Sequence, residues 1–222
     1  MSRFVAALAV ALLFALTGCG DDAGDTSDDA GGSGNSDGAA CEYPPGAPAD
    51  RDVDPPPDRA EHTGDVHATI GTSVGDIDVT LDAGSAPCTV NSFTSLAGQG
   101  YFDDTTCHRL TTAGIFVLQC GDPSGTGAGG PGYSFPDELD GDETYGPGTL
   151  AMANAGPDTN GSQFFIVYGD SPLPPDYTVF GTVSEEGVGI VEQVAADGSD
   201  DSNGIGDGAP NTPVDIESVE VG

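Results

Sequence analysis

Apolar and polar residues begin to alternate at Val66. Val66, Ala68 and Ile70 are spaced by polar residues, and Ile77, Val79 and Leu81 repeat the pattern after Thr72-Ser73-Val74-Gly75. A two-residue period buries one face of a strand, so this stretch predicts a β-hairpin. The period changes after Pro87. Val90, Phe93, Leu96 and Ala97 fall on one helical stripe, opened by the proline and ended by Gly98 and Gly100. Two strand-like runs follow at residues 105–110 and 115–119, joined by Thr-Thr-Ala-Gly. Further strands are predicted at residues 149–153, 163–167 and 179–183. Val188, Val191, Val194 and Ala195 mark a second helix; Val214, Ile216, Val219 and Val221 mark a last strand with a bulge. Many short strands, two helices and turns rich in Gly and Pro suggest a closed barrel with helices plugging its ends.

The start of the chain has none of this patterning. Residues 4–16 are an unbroken apolar run of 13, too short to span a bilayer, with Arg3 before it and Leu16-Thr17-Gly18-Cys19 at its end. A charged start, an apolar centre and small residues at the cut describe a secretory signal over residues 1–18. The Leu-Thr-Gly-Cys ending resembles the bacterial lipobox, in which the Cys is acylated and becomes the new N-terminus. That predicts an extracytoplasmic protein anchored to the cell membrane by lipid on Cys19. Residues 20–40 hold no apolar side chain larger than Ala and read as a flexible tether. Residues 41–61, rich in Pro and Asp, read as an extended lead-in. Residues 19–61 are thus expected to be a disordered, acidic tether and lead-in, and residues 62–222 the one folded domain.

Charge narrows the partners. Asp and Glu total 37 against four cations, a net charge of −33, and the cations are Arg3, Arg51, Arg59 and Arg109 with no Lys. Nucleic acid and anionic lipid surfaces need a basic footprint, so neither is an expected partner. Besides Cys19 there are four cysteines, Cys41, Cys88, Cys107 and Cys120. An even number in an exported chain favours two disulfides, and spacing alone leaves all three pairings open. With no C-x-x-C pair, a zinc site is disfavoured and no metal is expected.

The usual catalytic groups make a weak showing. His62, His67 and His108 are scattered, and no G-x-S-x-G elbow exists. The Gly-rich stretch 121–132 lacks the ending of a phosphate loop. The Asp-rich stretch 197–207 misses calcium-loop spacing and reads as a solvated loop. Arg109 is different: past Arg59 it is the only cation, and it sits in a short apolar strand. An isolated guanidinium suits a polar substrate atom, the alternative being a structural Arg that holds one of the many Asp carboxylates. Between residues 152 and 167, the amides Asn154, Asn160 and Gln163 flank Phe164-Phe165. In a strand the two rings face opposite ways, so one packs inward while the other can line a pocket for a peptide held by the amides.

His108-Arg109, then Gly114-Ile-Phe-Val-Leu-Gln119-Cys-Gly-Asp-Pro123, then Met152-Ala-Asn-Ala-Gly-Pro-Asp-Thr-Asn-Gly-Ser-Gln-Phe-Phe165, then Val179-Phe180-Gly181 resemble the successive signature segments of cyclophilins. The resemblance runs from about Val66 to Val221; the longer connection after Arg109 is similar to actinobacterial members. It implies a mainly β fold, an eight-stranded antiparallel barrel capped by two α-helices. It also implies a peptidyl-prolyl cis–trans isomerase that binds proline-containing polypeptides and needs no cofactor; with the signal, exported proteins are its expected substrates, and a monomer is expected. Arg109 matches the family's catalytic Arg and Gln119 the residue that orients it. Phe116, Val117, Phe165 and Leu173 match the proline pocket; Ala153, Asn154 and Gln163 match the rim that binds the peptide backbone. Tyr177 stands where the family has an edge His, and Pro172 where it often has Trp. The strand pairing of such a fold sets Cys107 opposite Cys120 and leaves Cys41 to tie the lead-in to Cys88. The rival function is a non-catalytic, chaperone-like module for proline-containing segments, which needs Phe116 and Phe165 but not Arg109.

Overall fold

The computed structural model describes residues 38–222. The predicted signal, the expected lipidation site Cys19 and the expected tether as far as residue 37 lie outside the described residues.

β1 (Asp65–Thr72) and β2 (Ile77–Asp82) pair as the hairpin that the alternation predicts, with Val66, Ala68, Ile70, Ile77, Val79 and Leu81 buried. Helix α1 (Pro87–Gly98) buries Val90, Phe93, Leu96 and Ala97. Its N-cap, Ala86, offers no acceptor to the open amides of the first turn. Glu138 supplies one from 50 residues away, accepting from the Cys88 N–H at 2.9 Å and from the Thr89 N–H and hydroxyl at 2.8 Å. A carboxylate there also meets the positive end of the helix dipole.

The next strands are β3 (Thr105–Thr106), β4 (Arg109–Ala113) and β5 (Ile115–Cys120). Thr111, Thr112 and Ala113, expected in a connection, continue β4, and Gly114 alone turns the chain at φ 78°. Thr111 is buried with its hydroxyl accepting from the Val117 N–H at 3.0 Å, which is how a polar residue fits an inner strand. β6 (Thr149–Met152), β7 (Phe164–Val167), β8 (Val179–Val183), α2 (Glu185–Ala196), β9 (Asp207–Gly208) and β10 (Asp215–Val221) complete the chain. All pairings are antiparallel, in the order β3-β10-β1-β2-β8-β6-β7-β5-β4-β9. β3 and β4 are two parts of one bent stretch, broken at Cys107-His108, so they link the β10 edge to the β5 edge and the sheet curls into a barrel. The eight longer strands form its wall. The predicted bulge lies where β10 meets β1: Gly71 faces Ser218 and Thr72 faces Ile216, leaving Glu217 unpaired.

Inside, Phe93 of α1 packs on Phe102, Phe164 and Phe180 at ring separations of 5.1–5.6 Å, with Leu110, Leu118 and Leu150 around them. α2 closes the other side with Val191 and Val194 buried. A second, smaller apolar cluster sits apart from this core: Val117, Tyr145, Ala151, Phe165 and Val167.

The lead-in corrects the expected boundary at residue 62. Residues 41–61 have almost no regular structure, yet they are ordered against the domain rather than loose. Cys41 is disulfide-bonded to Cys88. Tyr43 meets Tyr133 and Phe135 edge-on at 5.5 and 5.6 Å and donates from its hydroxyl to the Cys88 carbonyl. Arg51 Nη1 donates to the carbonyls of Gly100, Tyr101 and Asp103 just past α1, at 2.7–2.9 Å. Composition gave no sign of this, because two side chains and one cross-link do the anchoring. Cys107 and Cys120 form the second disulfide, at the β4–β5 ends.

Candidate active site

Strand register assembles the site. Arg109 on β4 faces Gln119 on β5, Gln119 faces Phe165 on β7, and Phe165 faces Ala151 on β6. These residues form one transverse row across four strands. Their neighbours Leu110, Leu118, Phe164 and Leu150 point into the main core, so the row lies on the opposite face.

A chain of hydrogen bonds runs along that face. Arg109 Nη1 donates to Gln119 Oε1 at 3.3 Å, Gln119 Nε2 to Gln163 Oε1 at 2.9 Å, and Gln163 Nε2 to the Gly129 carbonyl at 2.9 Å. Gly129 is held in turn by Asp122. That carboxylate accepts from the N–H and hydroxyl of Ser124 and from the N–H groups of Gly127 and Gly129, all within 3.0 Å. Burial alone would raise the Asp122 pKa; these hydrogen bonds outweigh it and hold the group below its ordinary value. The glycines of this loop serve close approach rather than a phosphate: a Cβ on Gly129 would fall 2.0 Å from Asp122 Oδ1.

The far side of Arg109 carries a residue that the sequence reading placed in a solvated loop. Asp207 accepts from Arg109 Nε at 2.8 Å and from Nη2 at 2.7 Å, a two-pronged pair and the only salt bridge among the described residues. The hydrogen bond to Asp207 holds the Arg109 pKa above its ordinary value against the opposing effect of burial, and holds that of Asp207 below. So Arg109 does hold a carboxylate, as the structural alternative had it, while keeping Nη1 on the site face. A separation of 98 residues hides the pair from the sequence.

Next to the row lies the apolar part. Phe165 is 5 % exposed and forms a floor, with Val117, Leu173, Tyr177 and Ala153 around it. Tyr177 meets Phe165 edge-on at 5.6 Å. Tyr145, which the sequence did not single out, fixes this wall: its hydroxyl donates to the Tyr177 carbonyl at 2.9 Å and accepts from the Tyr177 N–H at 3.0 Å. It sits in an irregular stretch where no periodicity marks a buried position. Asn154 Nδ2 donates to the Asp176 carbonyl and its Oδ1 accepts from Gly156, so this amide shapes the rim loop. Beyond Gln119 and Gln163 a depression of about 520 Å³ continues, walled on its outer side by Ala47 and Pro48 of the lead-in.

Phe116 requires correction. Its register partner is Thr112, it packs against the main core, and it meets Tyr168 edge-on at 5.9 Å. One residue from Val117 and three from Gln119, it lies on the other face of β5 and does not join the Phe165 cluster. His108 adjoins Arg109 with both ring nitrogens buried and unpartnered, and burial lowers its pKa.

A family model described as "Cyclophilin type peptidyl-prolyl cis-trans isomerase/CLD" matches residues 67–221. The chain belongs to the cyclophilin family. A Mycobacterium leprae protein named a probable peptidyl-prolyl cis-trans isomerase B is 48 % identical over 200 residues, covering 83 % of this chain and 67 % of its own. The Mycobacterium tuberculosis counterpart is 48 % identical over 204 residues, at 82 % and 64 % coverage. The chain thus spans about two thirds of the length of these relatives. Among solved structures, a Cryptosporidium parvum cyclophilin crystallised in the presence of the dipeptide Ala-Pro superposes with a TM-score of 0.62 at 32 % identity, over 70 % of this cyclophilin and 98 % of that chain.

Proposed function

We propose that this cyclophilin accelerates cis–trans rotation about X–Pro bonds in exported proteins, with Arg109 as its electrophile. The observation that carries the reading is the row Arg109–Gln119–Phe165: a cation held by hydrogen bonds beside an apolar floor. The substrate's proline ring rests on Phe165 between Val117, Leu173 and Tyr177. Rotation about the bond faces a barrier of roughly 18–20 kcal/mol because amide resonance must be broken, and it takes tens to hundreds of seconds unaided. In the twisted state the prolyl nitrogen becomes pyramidal and regains a lone pair. An N–H of Arg109 aimed at that lone pair stabilises the twisted amide and not the planar one, which is what raises a rate. Each ~1.4 kcal/mol of that preference is worth about tenfold. Nothing in the step transfers a proton or calls for a cofactor.

We place the enzyme outside the cytoplasm, as a monomer held to the membrane by lipid on Cys19, from the signal and lipobox-like ending of residues 1–19. Labelled fatty acid should enter the wild-type protein in a bacterial host and be lost from Cys19→Ser. The decisive experiment is the isomerisation of an Ala-Pro peptide by the purified protein and by Arg109→Ala, at low and high salt. Clear acceleration, with a loss of at least about tenfold in the variant, supports the reading. No acceleration by folded protein at either salt would overturn it in favour of a proline-binding module.

A further inference from the structure

We infer that Asp207 is a positioning residue for this reaction, selecting which edge of the Arg109 guanidinium faces the substrate. The inference rests on the isomerase reading of Arg109. A guanidinium is planar, with its N–H directions fixed relative to one another, so clamping one edge sets all the others. Asp207 clamps the Nε/Nη2 edge with two short bonds, 2.8 and 2.7 Å. Nη1 is left on the face of Gln119 and Phe165, held only by the longer 3.3 Å bond to Gln119. The carboxylate therefore takes the Nε/Nη2 edge and leaves Nη1, beside Gln119, as the donor on the site face. Without the clamp, a long side chain that is 34 % exposed has several rotamers open to it.

Asp207 is itself built into place. β9 pairs with β4, Asp207 facing Thr111, two residues along from Arg109 on the same face. The Thr112 N–H donates to the Gly206 carbonyl at 2.7 Å. Behind it, Asp201 accepts from the Gly206 N–H at 2.7 Å, and Asn203 pairs with both the carbonyl and the carboxylate of Asp207. A two-residue strand whose loop is braced in this way delivers one carboxylate to one guanidinium. Among the described residues, this is the acidic side chain that pairs with Arg109.

The test is a cycle of Asp207→Ala, Asp207→Asn, Arg109→Ala and the double Asp207→Ala/Arg109→Ala variant, with kcat and KM measured on an Ala-Pro peptide. Melting curves and circular dichroism check that each is folded. We expect Asp207→Ala and Asp207→Asn to lower kcat about tenfold with KM nearly unchanged, and no further loss when Asp207 is removed from Arg109→Ala. The protein holds four Arg, so an ¹⁵N-arginine spectrum is sparse. The Arg109 Nε–H signal should be displaced in the wild type and return to the free-arginine position in Asp207→Asn. If Asp207→Ala keeps or exceeds wild-type kcat while Arg109→Ala loses it, the inference is wrong and the Arg109 reading stands. An equal loss in both backgrounds assigns Asp207 to the fold alone and also refutes it. Full activity in Arg109→Ala would remove both together.

Discussion

Gln119 accepts from Arg109 through one end of its amide and donates through the other to Gln163, 2.9 Å away. Because Gln163 in turn donates to the Gly129 carbonyl, neither amide can flip without breaking two bonds. The Gly-rich loop, folded around Asp122, thus helps fix the direction of Arg109 through two intervening side chains, Gln163 and Gln119.

Replacing members of this chain should cost activity in graded fashion. Gln119→Ala frees Arg109 directly; Gln163→Ala leaves Gln119 in place but lets it rotate. A hydrogen bond is worth about 1 kcal/mol net, so each link is worth about fivefold. We expect kcat/KM to fall about fivefold in Gln119→Ala, which removes the link to Arg109 itself, and by less, about twofold, in Gln163→Ala, as measured by stopped-flow peptide isomerisation. A larger loss in Gln163→Ala than in Gln119→Ala would contradict the order of the chain.

The two phenylalanines matched to the proline pocket, Phe116 and Phe165, should separate cleanly. Phe165 floors the pocket, whereas Phe116 packs on Tyr168 behind the sheet. Phe165→Leu keeps apolar volume but loses the ring faces that meet Tyr145 and Tyr177, and should raise KM by about fivefold, a loss near 1 kcal/mol. Phe116→Leu should leave KM within about twofold and register instead as a small fall in melting temperature. Peptide titrations and thermal melts on both variants read the difference.

What the sequence made legible followed from short-range rules. The hairpin, both helices, the bulge in β10 and the opposite faces of Phe164 and Phe165 come from two periods and a few turn residues. The same rule already parted Phe116 from Gln119, since an odd separation in a strand reverses the face; the motif match had grouped them. Asp207 and Tyr145 were not legible. Each acts through a partner far along the chain in a segment without periodicity, and in so acidic a protein no single Asp stands out. The lead-in was misread for a related reason. Pro- and Asp-rich composition describes local preference, while its order comes from Cys88, Tyr133 and the carbonyls after α1.

That lead-in makes a prediction about stability. Cys41–Cys88 closes a loop with a sequence separation of 47, and Cys41 is buried. Cross-linking over such a span restricts the unfolded chain, and its removal typically costs about 2–4 kcal/mol. Cys41→Ser/Cys88→Ser should therefore unfold at markedly lower urea, and protease should cut first between residues 41 and 61. Unchanged protease resistance there would mean that Tyr43 and Arg51 hold the segment without the disulfide.

Acid should destabilise the domain in two separable steps. His108, half-buried with its ring nitrogens enclosed, has a folded pKa below its ordinary 6.5, so the unfolded chain binds the extra proton first. Stability from its neutral form is present above 6.5 and is lost as pH falls from there to the folded pKa. Asp207 has a folded pKa below its ordinary 3.8, held down by Arg109; its contribution is present above 3.8 and is lost only as pH falls further. Relief of repulsion among the many other carboxylates acts alongside both but is nearly the same in closely matched variants, so differences isolate each step. Urea midpoints measured from pH 8 to pH 3 should show the gap between wild type and His108→Gln changing mainly below pH 6.5, and that between wild type and Asp207→Asn mainly below pH 3.8. If the Asp207→Asn gap instead changed near neutral pH, the Arg109–Asp207 pair would not be holding that carboxylate ionised.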